Sequence, residues 1–122
     1  MKKLIAVVVV VVVIVLGFAF NTSAQEVKTV SLEQTKGEFT QKQITLSEGT
    51  YIFEIANNNV GHNVGFVLAP KSGVKAHIKN AYVKEQVKNN TKQTSKTVTL
   101  TKGEYVYFCP LNPTPQYTLI VE

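Results

Sequence analysis

Read for the alternation of apolar and polar residues, the chain resolves into short extended segments separated by turns. From Val27 to Leu32 the period is two, with Val27, Thr29 and Ser31 on one side and Lys28, Val30 and Leu32 on the other. Lys36-Gly37 predicts a turn, and Phe39 to Leu46 predicts a second extended run with Phe39, Ile44 and Leu46 facing inward. Glu48-Gly49 reads as a hairpin turn into Thr50 to Ala56 (TYIFEIA), whose β-branched and aromatic residues suit a half-buried strand. The cluster Asn57-Asn58-Asn59 favours turns and left-handed backbone and ends that strand. His62 to Leu68 (HNVGFVL) resumes the apolar run and stops at Pro70. Between Val74 and Lys88 the spacing changes: Val74, Ile78, Ala81 and Tyr82 fall at i, i+4, i+7 and i+8 and predict one short helix. Asn89 to Lys96 reads as a polar loop, followed by strands over Thr97 to Leu100, Glu104 to Phe108 and Tyr117 to Val121. Short strands at this spacing predict an all-β fold, an antiparallel Greek-key β-sandwich with one short helical excursion.

The N-terminus breaks the pattern. Met1-Lys2-Lys3 is a basic start, Leu4 to Phe20 is an unbroken apolar run, and polar Asn21, Thr22 and Ser23 lead to the small Ala24. This predicts a signal peptide over residues 1–24 and a folded domain over 25–122, exported to the periplasm or the extracellular space. The apolar run also approaches the length of a membrane span, so an unprocessed chain would touch the membrane through this segment alone.

Composition narrows the chemistry. The 122 residues carry 13 Lys+Arg and 8 Asp+Glu, a formal net charge of +5, and suit a single domain. Every basic residue is Lys and every acidic one is Glu. Guanidinium clamps for nucleic acid are therefore absent, as is Asp for a catalytic triad or a calcium loop. Such a set argues against an enzyme and against a nucleic-acid partner. Cys109 is the single Cys, which rules out an intramolecular disulfide and leaves a free thiol, an intermolecular bridge or a metal ligand. A monomer is expected, with a dimer through Cys109 left open.

LSEGTYIFEIANNNVGHNVGFVL and, some forty residues on, VTLTKGEYVYFCPLNPTPQYTLIV resemble the cupredoxins, the blue-copper electron carriers of the plastocyanin, azurin and amicyanin type. The resemblance covers nearly all of the chain after Ala24 and implies a cupredoxin sandwich. In that family a His at the start of one strand, with Cys, His and usually Met from the loop between the last two strands, holds the copper. His62 and Cys109 match the first two positions. A Cys thiolate is a soft donor, and imidazoles with a weak axial group hold a geometry acceptable to both oxidation states of copper.

The loop departs from the family pattern. Short-loop members similar to amicyanin read Cys-x-x-His-x-x-Met, whereas this chain reads Cys109-Pro110-Leu111-Asn112-Pro113-Thr114-Pro115. Asn112 stands where the second His is expected and Pro115, which has no side-chain donor, where Met is expected. Gln116 could supply an amide oxygen as axial ligand, and Asn112 a bond to a metal-bound water. Asn63 is expected to tether the two ligand segments, as the polar residue after the first His does in cupredoxins. His77 reads as a solvated surface imidazole, and Tyr105, Tyr107 and Phe108 as packing. Two functions follow: a copper-binding protein using His62 and Cys109 in electron transfer or copper handling, with a redox or copper-exchanging protein partner, or a metal-free binding module on the same fold.

Overall fold

The computed structural model describes residues 26–122, so the expected signal peptide lies outside the described residues. Among the described residues eight strands appear: β1 (Val27–Thr35), β2 (Glu38–Phe39), β3 (Gln43–Leu46), β4 (Gly49–Asn57), β5 (Val67–Pro70), β6 (Lys92–Leu100), β7 (Gly103–Phe108) and β8 (Tyr117–Val121). They form two four-stranded sheets, ordered β2-β1-β4-β6 and β3-β8-β7-β5. The inner faces share one core that includes Phe39, Phe53, Ile55, Leu68, Tyr107 and Leu119. This is the expected β-sandwich.

Two strand pairs are parallel. β1 runs beside β4 from Val27↔Thr50 to Gln34↔Asn57, and β3 beside β8 from Gln43↔Thr118 to Leu46↔Val121. The extended run over Phe39 to Leu46 explains both, because it divides: β2 pairs with β1, whereas β3 joins the other sheet. The turn at Glu48-Gly49 is accordingly a crossing between sheets and not a hairpin, since β4 pairs with β1 and β6. A parallel pair requires such crossovers, which a tight hairpin cannot provide.

The helical excursion contracts to a single 3-10 turn at Lys79–Ala81. Its backbone groups find partners elsewhere. Ile78 N donates to Leu68 O at 2.8 Å and Lys84 N to Thr94 O at 3.0 Å, while Val87 and Val64 exchange both backbone bonds. Cross-segment bonding thus replaces the i→i−4 ladder. The same partners lengthen β6, which begins at Lys92 within the stretch expected to be a loop.

One pole of the sandwich is closed by two matching corners. Tyr51 Oη donates to Ser47 O at 2.7 Å and Tyr105 Oη to Thr101 O at 2.8 Å, each hydroxyl reaching back four residues. The sequences are parallel too, Leu46-Ser47-Glu48-Gly49-Thr50-Tyr51 and Leu100-Thr101-Lys102-Gly103-Glu104-Tyr105. Glu48 joins them by accepting the Lys102 backbone N–H at 2.8 Å. β1 starts and β8 ends at this pole, where Val27 lies opposite Thr50 and Val121 opposite both Leu46 and Gly103. The loops carrying His62 and Cys109 occupy the other.

Candidate metal centre

Cys109 follows the last residue of β7 and opens the loop over 109–116, which leads into β8. Pro110, Pro113 and Pro115 each fix their own φ and bias the preceding residue toward extended backbone. Thr114 Oγ1 closes the loop by accepting the Cys109 N–H at 3.0 Å. The thiol is 1% exposed. Its sulfur accepts two backbone N–H groups, from Gly65 and from Asn112, each at 3.2 Å. Two amide dipoles converging on one sulfur make a polar seat in an otherwise apolar place.

Asn112 is buried, and its side chain turns away from the sulfur into the β1–β2 hairpin. Its Nδ2 donates to Thr35 O at 2.9 Å and Gln34 Oε1 at 3.1 Å, and its Oδ1 accepts the Gly37 N–H at 2.7 Å. The amide is therefore committed to protein partners on both sides. Gly37 completes the two-residue turn at φ +79°, a backbone angle that glycine adopts at low cost.

His62 is exposed, and its Nδ1 donates to Asn63 O at 2.9 Å, which leaves Nε2 as the lone-pair nitrogen. Its backbone is firmly held. Asn57, buried at the end of β4, donates from Nδ2 to His62 O at 2.8 Å and Val87 O at 3.0 Å, and accepts the Val60 N–H at 3.1 Å. Asn89 and Asn90 add bonds to the N–H groups of Gly61 and Asn59, the latter at φ +56° as the Asn-rich sequence suggests. Asn63 does not reach the Cys loop: its Nδ2 donates to Gln86 Oε1 at 3.1 Å.

Gln116 lies exposed at the loop's end. His77 sits half-buried outside the 3-10 turn, with Nδ1 2.8 Å from Tyr82 Oη and its ring edge-on to Phe108. A groove of about 460 Å³ runs between this pair and the Cys loop, lined in part by Phe66, His77, Tyr82, Pro110 and Leu111. Tyr105 and Tyr107 point into the core, where Tyr107 packs edge-on against Phe39 at 5.2 Å. Burial pushes the Tyr107 phenol up to about 12.

These residues do not make a closed four-donor copper site. Cys109 offers a seated sulfur and His62 an imidazole, but Asn112 faces inward and Pro115 has nothing to offer. Among the described residues no group of three or more His, Cys, Asp or Glu could hold a metal ion. A thiolate and an imidazole are donor types that a soft cation such as Cu(I) accepts.

Sequence reasoning overlooked Gln34, Asn57, Gly65 and Thr114. For Gln34 and Asn57 a signal existed. Extending the two-residue alternation beyond Val30 and Leu32 places Gln34 on the inward face, and beyond Phe53 and Ile55 it places Asn57 there too. An amide at an inward position demands buried partners.

Comparisons with known proteins agree with this architecture. The sequence profile of "Copper binding proteins, plastocyanin/azurin family" matches residues 19–119. No curated protein matches the chain in sequence. Among solved structures, auracyanin B superposes with a TM-score of 0.61 at 17% identity, covering 84% of this chain and 93% of its own. Auracyanin A, a "blue" copper protein from the green thermophilic photosynthetic bacterium Chloroflexus aurantiacus, gives 0.62 at 16% identity, with 80% and 100% covered. An azurin (Az-iso2) from the methylotroph Methylomonas sp. strain J gives 0.55 at 17% identity, with 77% and 97% covered. At such identities the structural likeness speaks for the fold.

Proposed function

Because the chain belongs to the plastocyanin/azurin family of copper-binding proteins, we propose that it is an exported copper-handling cupredoxin whose metal donors are Cys109 and His62. The observation that carries this reading is the Cys109 sulfur, buried and met by the N–H groups of Gly65 and Asn112. Hydrogen bonds to a ligand atom hold it in place and tune its donor strength. The metal, when bound, supplies one-electron exchange or is itself the cargo. With few donors in the chain, positions remain for a partner's side chain, which suits copper transfer better than electron shuttling. The partner is a copper-exchanging or redox protein meeting the groove beside the Cys loop, where Leu111 and Tyr82 are exposed. The domain is residues 25–122, released after export to the periplasm or extracellular space, monomeric and without an enzymatic activity of its own.

Titrating the reduced protein with Cu(I), then Cu(II), tests the proposal. About one equivalent of Cu(I) should be retained after desalting, and Cys109→Ala should retain none. Equal retention by the Ala variant would refute the assignment. A second reading is favoured by the Asn112 side chain, whose amide is fully engaged by Gln34, Thr35 and Gly37. On that reading the loop is a metal-free recognition surface, and copper would leave the melting temperature unchanged.

A further inference from the structure

The two N–H groups on the Cys109 sulfur come from segments far apart in sequence, Gly65 and Asn112, and one side chain touches both residues. Gln34, 0% exposed on β1, donates from Nε2 to Gly65 O at 2.7 Å and accepts on Oε1 from Asn112 Nδ2 at 3.1 Å. The orientation of each amide is fixed by its partners. Gly65 O and Thr35 O only accept, and Gly37 N only donates, so neither amide can be flipped without losing bonds. We propose that Gln34 is the positioning residue of the thiol site, aligning the Gly65 and Asn112 amides on the sulfur and so performing the tethering that Asn63 does not.

The geometry gives Gln34 this place for a physical reason. Gln34 sits in parallel register beside Asn57, so two buried amides end neighbouring strands. Asn57 fixes the backbone of the His62 loop, and Gln34 fixes the junction between that loop and the Cys loop. The Gln34 contacts are hydrogen bonds that hydrophobic packing cannot replace, because Gly65 O and one N–H of the Asn112 amide would lose the Gln34 partner.

The inference rests on reading Cys109 as the working donor, yet its test needs no metal, so the two can fail separately. Gln34→Met keeps the length of the side chain and removes both arms. Gln34→Glu keeps the acceptor for Asn112 and, once its buried carboxyl is ionised at alkaline pH, loses the donor to Gly65 O. Amide hydrogen exchange followed by NMR should speed up on the order of tenfold at Gly65 and Asn112 in Gln34→Met. Val60 and Gly61, held by Asn57 and Asn89, serve as internal references and should not change. In Gln34→Glu at alkaline pH the effect should fall on Gly65 more than on Asn112, which also supplies a reading if Gln34→Met does not fold. Alkylation of Cys109 by iodoacetamide should accelerate in parallel. Ser95→Ala removes the buried hydroxyl that accepts the Phe53 N–H, a bond in which neither Gly65, Asn112 nor the sulfur takes part, and controls for general loosening. Exchange at Gly65 and Asn112 that rises no more than at Val60 and Gly61 would overturn the proposal. So would alkylation that Ser95→Ala accelerates equally.

Discussion

Asn112 illustrates how much one buried amide can hold. It bonds two segments of the β1–β2 hairpin through its side chain and the sulfur through its backbone. Asn112→Ala would leave Gly37 N, Thr35 O and Gln34 Oε1 short of a partner, and should cost about 2–4 kcal/mol in urea denaturation. A loss below about 0.5 kcal/mol would mean that water replaces the amide without penalty. Tyr107 makes a second residue-level prediction. Burial raises its phenol to about 12, whereas an unfolded tyrosine ionises near 10. Between these values the unfolded chain has released a proton that the folded one retains, so stability should fall as pH rises from about 10 toward 12. Tyr107→Phe should flatten that part of the profile, at the cost of leaving Gln41 O without the Tyr107 hydroxyl. An unchanged alkaline slope in Tyr107→Phe would assign it to other groups.

At the scale of elements, the twin corners at Tyr51 and Tyr105 tie each strand entry to the turn before it. Tyr51→Phe and Tyr105→Phe should each cost about 1 kcal/mol, or roughly 5 °C in melting temperature for a domain of this size. Thermal melts of the single variants and the double would show this, and a double variant melting like the wild type would remove the corners from the stability account. The strands were legible wherever inward positions alternated without interruption, as in Tyr51, Phe53 and Ile55, or in Tyr105 and Tyr107. The pairing was not legible, since alternation says which face is buried but not which neighbour supplies the hydrogen bonds. That is why Phe39 to Leu46 read as one strand although it serves two sheets. The segment from Val74 to Lys88 misled for a similar reason: Ile78 and Ala81 do face the core, but bonds to Leu68 and Thr94 take the backbone that a helix would need. At the site, residue identity revealed Cys109 and His62, whereas the roles of Gln34 and Gly65 depend on long-range contacts absent from any local pattern.

For the molecule as a whole, the sandwich separates two jobs along its length. One pole is tightened by the tyrosine corners, and the other presents the loops of His62 and Cys109 on prolines and buried amides. A stiff platform under a thiol favours a fixed donor over a hinged one, since the loop has little freedom to reshape around a cargo. Exchange should therefore be governed by the partner's approach. Because β1 begins and β8 ends at the corner pole, a linker or a surface attachment grafted there would leave the thiol pole facing outward. On the proposed copper-binding reading, protein immobilised on a sensor through residues preceding β1 should take up Cu(I) as tightly as the free protein does. Attachment through a bioorthogonal side chain placed at position 111 in place of Leu, with which the many surface lysines cannot compete, should block uptake, making the molecule a one-sided probe whose orientation is set by where it is fastened.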